Sequence, residues 1–142
     1  MPASLTRRLS FAAAHRYRIA SWSDERNAEV FGLCARPNYH GHSYVCDVTV
    51  RGEIDDASGM LVDLAILDRI LEVEVRQRFD HRNINMDVPE FAEGKLVPTG
   101  ENLARFIFQR VARGLAEQRA SARVQRVSVA EDPTLSASYW ED

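Results

Sequence analysis

The chain has 142 residues, with 18 Lys and Arg against 21 Asp and Glu for a formal net charge of −3, and it is 45% hydrophobic and 27% charged. That length suits one compact domain over residues 1–142, and that balance supplies a core and excludes a disordered or collagen-like chain. The slight negative charge leaves no overall basic field to hold nucleic acid or an anionic bilayer, so any anion has to be held by a local site.

Leu5 to His15 alternates, with Leu9, Phe11, Ala13 and His15 sharing one parity, as a strand with one buried face requires. Residues 18–39 carry Ser21, Ser23, Asp24, Asn27, Gly32, Pro37 and Asn38 and read as a long irregular excursion with a helical turn around Asp24 to Phe31. Long excursions of this kind in compact domains are often functional. From Gly41 to Gly52 alternation returns, with Tyr44, Cys46, Val48 and Val50 on one side, before Asp55 to Gly59 turns the chain. Asp63 caps a predicted helix over about 63–78, whose apolar stripe is Leu64, Leu67, Ile70, Leu71 and Val75. Beyond a loop with Pro89, Gly94 and Pro98, Thr99 caps a second helix through Leu103, Phe106, Ile107, Val111 and Leu115. Val124 to Ala130 and Ser136 to Trp140 are two closing strands. The order ββααββ predicts an α+β domain: a four-stranded antiparallel sheet with two helices on one face.

Cys34 and Cys46 are too few for a disulfide framework in a chain of this size, which points to a reducing compartment. Thr6 to Phe11 has a faint twin-arginine look, but only Ala12 to Ala14 follows as an apolar run before His15, too short for a signal core. No run of about 18 apolar residues occurs. The expectation is a cytoplasmic protein with no membrane partner.

His40 and His42 stand two apart on a predicted strand, so both side chains project from one face and can grip a single ion. Pairing that strand with the first adds His15, and three imidazoles suit zinc with a fourth position open to water or substrate. The plain alternative is three satisfied core histidines. Cys46, among valines, reads as a small hydrophobe, whereas Cys34 in the excursion is either a reactive thiol near a cation or a fourth ligand that closes the metal site. His81 follows Asp80 at the end of the first helix, an arrangement that serves proton transfer or merely a helix end. Glu101 in the first turn of the second helix is explained equally by the helix dipole. Glu131 at a strand end is of interest only where it meets paired N–H donors that it can hold in a fork.

Five segments carry a resemblance across nearly the whole chain: Phe11 to His15, Cys34 to Tyr44, Asp80 to Asn83, Pro98 to Asn102 and Val129 to Glu131. In this order they resemble the 6-pyruvoyltetrahydropterin synthase family, which includes the 6-carboxytetrahydropterin synthases of queuosine biosynthesis. The resemblance implies the tunnelling fold, with two helices between the hairpins of a four-stranded sheet, and a homohexamer of two stacked trimers with shared active sites. It implies His15, His40 and His42 as zinc ligands, Cys34 as general base, Asp80 and His81 as its proton-transfer partners, and Glu131, Thr99 and Glu101 as substrate-binding residues, with Glu131 the pterin anchor. The implied substrate is 7,8-dihydroneopterin triphosphate, which Mg²⁺ could accompany, with Arg16, Arg36 or Lys95 as contacts. The implied reaction is loss of triphosphate to give 6-pyruvoyltetrahydropterin; the rival product is the 6-carboxy compound with release of acetaldehyde. A rival of another class is a non-catalytic zinc- or pterin-binding module with Cys34 as closing ligand. The five-residue spacer between Cys34 and His40 and the stretch Asn83 to Ala92 resemble the animal pyruvoyl enzymes more than the carboxy type. One departure stands out: Asp132-Pro133 follows Glu131 where the family commonly has threonine.

Overall fold

In a computed structural model, which describes residues 2–142, two long strands open the chain: β1 (Pro2–His15) and β2 (His40–Glu53). They are joined by an excursion that contains α1 (Asp24–Phe31), capped by the Ser23 hydroxyl, which accepts from the Arg26 N–H. Buried Asn27 ties this excursion together: its side-chain oxygen accepts from the Ile19 N–H, and its amide donates to the Ile19 and Ser23 carbonyls. One side chain thereby replaces the backbone ladder that the loop lacks.

Asp63 caps α2 (Leu64–Leu71) as expected, accepting from the Ala65 N–H. The helical path continues through a π-wound stretch, Glu72–Arg76, into the short α3 (Gln77–Phe79). Next come β3 (Arg82–Asn83) and α4 (Ile84–Asp87), then α5 (Gly100–Glu117), capped by the Thr99 hydroxyl. The chain closes with β4 (Arg123–Asp132) and β5 (Leu135–Trp140).

The sheet has five strands in the order β3-β1-β2-β4-β5. The α+β class stands, but the expected four-stranded ββααββ description needs two corrections. Arg82–Asn83 adds a short parallel strand beside Ala13 and Ala14, and α4 is an additional short helix, whereas α1 falls where the helical turn around Asp24 to Phe31 was expected. Two residues are too few to leave an alternating pattern, so β3 has no periodic signal; it forms because the first helical arm ends against β1. There the His81 N–H donates to the Ala12 carbonyl at 2.6 Å, and the Asp80 carboxylate accepts from the Ala12 N–H at 2.9 Å.

One face of the sheet is buried. Phe11, Ala13 and His15 of β1, Tyr44, Cys46, Val48 and Val50 of β2, and Val127, Val129 and Glu131 of β4 all turn to that side. The helices meet it with Leu67, Ile70, Leu71 and Val75, and with Leu103, Phe106, Ile107, Val111 and Leu115. Asp80 is positioned by the residue before it: Phe79 is fully buried, stacks on Phe11 and meets Phe91 and Phe106 edge-on. Among the described residues no helix is long and apolar enough to cross a membrane.

Replacing Phe79 by Ala empties the centre of this aromatic cluster and should cost about 3–5 kcal/mol of unfolding free energy, the usual scale for a buried aromatic. Urea denaturation reads it, and a loss below about 1 kcal/mol would show that Phe79 does not anchor the arm carrying Asp80.

Candidate metal and pterin site

The register of β1 against β2 builds the centre of the site. His15 lies directly across from His40, and Ala13 across from His42, with unbroken antiparallel pairing back to Pro2. Gly41 sits in the regular ladder opposite Ala14 and forms no bulge. Residues directly opposite in an antiparallel pair share a face, so the three imidazoles converge. Their ring centroids are 4.7–5.0 Å apart, and one nitrogen from each lies within 4.8 Å of the others.

The surroundings fix which nitrogen each ring presents. His15 is fully buried, and its Nδ1 is 3.0 Å from the Pro98 carbonyl oxygen. A carbonyl can only accept, so Nδ1 carries the hydrogen and Nε2 keeps its lone pair, pointed at His40 Nε2 3.1 Å away. The Tyr44 hydroxyl also stands 3.0 Å from His15 Nδ1. His42 Nε2 is buried with no hydrogen-bond partner. A buried, orphaned ring nitrogen facing two others fits a cation held by three neutral imidazoles, with no such fit for a core of satisfied histidines.

Burial is also the main reason the His15 and His40 rings favour the neutral form. It lowers His15 to about 3, with His40 and His42 adding to the effect against the opposing Pro98 carbonyl bond, and it lowers His40 too. Neutral imidazole is the form that binds metal.

Cys34 sits in a single helical turn, Gly32–Ala35, and its carbonyl accepts from the Tyr17 N–H at 2.7 Å. Among the described residues the ligand cluster comprises His15, His40 and His42 only, so Cys34 lies outside it. Burial, followed by the charge of Glu131, pushes the Cys34 thiol up from its ordinary value. Cys46 is fully buried among the core valines, as expected.

Glu131 reaches the same buried face from β4. Its Oε1 accepts from the Tyr17 hydroxyl at 2.7 Å, and its Oε2 is 3.7 Å from His42 Nε2, too far for a hydrogen bond. Beside it lies a pocket of about 180 Å³ lined by Tyr17, Thr99, Gly100, Glu101, Glu131 and Ser136 among others. Thr99 and Glu101 thus share one cavity wall with Glu131, although the Thr99 hydroxyl is already engaged in capping α5. The Asp132-Pro133 departure has a local explanation: the Asp132 carboxylate accepts from both the N–H and the hydroxyl of Thr134, closing the β4–β5 turn.

Asp80 and His81 lie elsewhere. Their side chains pair at 3.1 Å, and the Ala12 N–H is the main cause that keeps Asp80 below the usual carboxylate range. The His81 side chain is 83% exposed and faces a cleft over β1 and β2 with Ala12, Ala14, Gly41, His42 and Ser43, a different cavity from the one lined by Glu131.

Two residues of the site carry no motif that marks them in the sequence. Tyr17, which links Cys34 to Glu131, shares its parity with His15 two positions earlier, and that is the one signal it offers. Asn85 braces the residue after His15, accepting from the Arg16 N–H and donating to the Arg16 carbonyl, a long-range contact with no local signature.

An α+β scaffold brings three imidazoles around one point in an arrangement compatible with a metal ion, with a thiol and an acid-lined pocket alongside. Residues 4–142 match the family model described as 6-pyruvoyl tetrahydropterin synthase. Homo sapiens 6-pyruvoyl tetrahydrobiopterin synthase is 46% identical over 113 residues, covering 80% of this chain and 77% of the human protein. The Bacillus subtilis 6-carboxy-5,6,7,8-tetrahydropterin synthase is 32% identical over 113 residues, covering 78% of this chain and 73% of that protein. The solved Caenorhabditis elegans 6-pyruvoyl tetrahydropterin synthase superposes with a TM-score of 0.90 at 34% identity, over 100% of this chain and 97% of that one. The chain belongs to the 6-pyruvoyl tetrahydropterin synthase family and is an enzyme of the lyase class.

The lowered His15 value has a consequence for metal-free protein. Between about 3 and 6.5 the unfolded chain takes up a proton on this ring that the folded chain refuses, so stability is full above 6.5 and falls as the pH drops. Chelator-treated protein should show a urea midpoint that declines between pH 6.5 and 5, with a shallower decline in His15→Asn. Equal slopes in the two proteins would contradict the buried, neutral assignment.

Proposed function

We propose that the protein is a zinc-dependent lyase converting 7,8-dihydroneopterin triphosphate to 6-pyruvoyltetrahydropterin with loss of triphosphate. The observation that carries this reading is the three-imidazole cluster with Cys34 outside it, which leaves a coordination position for substrate and frees the thiol for chemistry. The higher identity to a pyruvoyl enzyme than to a carboxy enzyme favours the pyruvoyl product.

Zinc held by His15, His40 and His42 would bind the side-chain hydroxyls, acidify the adjacent carbon and lower the thiol pKa of Cys34 against the burial that raises it. Cys34 as thiolate removes the proton from that carbon, and the electrons so released expel the triphosphate. Glu131 accepts the pterin ring N–H groups, with the ring lying between Thr99 and Glu101, and so sets the side chain at the reacting end of the site. Asp80 and His81 move protons in the internal redox and tautomer steps.

For that last role, the exposed Asp80–His81 pair has to serve a neighbouring subunit, which the expected hexamer of two trimers provides. The free edges support such an assembly: β3 covers only Ala13 and Ala14 of β1, and edge strand β5 leaves Leu135 and Trp140 more than half exposed.

With dihydroneopterin triphosphate as substrate, the zinc-loaded protein should release triphosphate and the pyruvoyl compound; stoichiometric acetaldehyde would assign it to the carboxy branch instead. Cys34→Ala should retain zinc and lose turnover by at least about a hundredfold, the scale for a general base. Co-expressed Cys34→Ala and His81→Ala chains should regain activity that neither has alone, since shared sites then pair an intact Cys34 with an intact His81. No recovery would place both residues in one subunit's site.

A further inference from the structure

Tyr17 contacts Cys34, His15 and Glu131 at once. Its N–H donates to the Cys34 carbonyl at 2.7 Å, its ring packs edge-on against His15 at 5.0 Å and Phe31 at 5.7 Å, and its hydroxyl donates to Glu131 Oε1 at 2.7 Å. Phe31 in turn stacks on Trp22, so the ring is held from behind by the α1 excursion. A phenol fixed on three sides has little freedom to leave the carboxylate it serves.

Glu131 faces two competing attractions. On one side lies the pocket with Thr99, Gly100 and Ser136; on the other, its Oε2 stands 3.7 Å from the ring nitrogen of His42. A carboxylate this close to His42 is itself a good ligand for the cation that the imidazoles suit. The Tyr17 hydrogen bond opposes rotation of the carboxylate toward that cation by holding the far oxygen.

We propose that Tyr17 is the positioning residue for Glu131: its hydroxyl keeps the carboxylate aimed at the pterin pocket and off the metal position. This rests on the reading of Glu131 as the pterin anchor. Specificity for the ring would then depend on a residue that touches neither the reacting carbon nor the metal.

Tyr17→Phe keeps the ring against His15 and Phe31 and removes only the hydroxyl. Binding of unsubstituted pterin, which has no side chain for the metal, can be measured by fluorescence on chelator-treated protein, alongside zinc content and steady-state kinetics. The variant should bind pterin about tenfold more weakly and raise KM about tenfold, the scale for losing a hydrogen bond to a charged group, with kcat and zinc content close to wild type. In the Glu131→Gln background, Tyr17→Phe should have little further effect on pterin binding, because the interaction it supports is already gone. Unchanged pterin binding in Tyr17→Phe, or an equal loss in the Glu131→Gln background, would overturn the positioning role while leaving Glu131 as anchor. If Glu131→Gln binds pterin as well as the wild type, the anchor reading fails, and this inference with it.

Discussion

The site depends first on a matter of register. His15 pairs with His40 only because fourteen consecutive residue pairs align β1 with β2 from Pro2 to His15. A slip of one residue would turn every side chain of one strand to the opposite face, exposing Phe11 and separating His15 from its partners. The apolar residues on that face therefore do two things at once. Phe11 stacked on Tyr44, and Cys46, Val48 and Val50 fully buried, stabilise the core and lock the spacing at which three imidazoles meet. The geometry of the imidazole cluster is inherited from hydrophobic patterning further along the same strands.

The same alternation explains how much of the fold and the site is legible in the amino-acid sequence. Strands β1, β2, β4 and β5, both capped helices, and the meeting of His15 with His40 and His42 follow from periods of two and 3.6 residues together with Asp63 and Thr99 as caps. The legible part ends where contacts are made by single side chains across long sequence distances. Asn27 organises the excursion, Asn85 braces Arg16, and the Tyr17 hydroxyl meets Glu131, and none of these leaves a periodic trace. β3 is of the same kind: it exists because the Phe79 arm docks beside Ala12, not because Arg82 and Asn83 favour a strand.

The turn after Glu131 shows how a departure from family pattern can be local in its effect. Asp132 places a second carboxylate next to Glu131, the proposed anchor, which at first sight threatens the proposed ring recognition. Its oxygen is occupied by Thr134, whose N–H and hydroxyl are the main causes keeping it below the ordinary carboxylate range. Pro133 suits such a turn through its fixed φ. Alternation along β4 carries Val129 and Glu131 to the buried face and leaves Asp132 exposed, so the two neighbouring acids point to different surroundings.

Burial also sets up an opposition that the proposed reaction has to resolve. Removing His15 and His40 from water favours their neutral, ligating form, but removing Cys34 from water favours its protonated thiol, and the charge of Glu131 acts in the same direction. Uncharged surroundings cannot favour a neutral base and an anionic thiolate together; a positive charge among the imidazoles can, because it leaves the rings neutral and attracts the thiolate. The acid that raises Cys34 is itself held at the far side by Tyr17. In the proposed arrangement, a carboxylate kept off the cation would leave the cation's field available to the sulfur, so the hydroxyl of Tyr17 and the position of Cys34 outside the ligand cluster would serve the same electrostatic end.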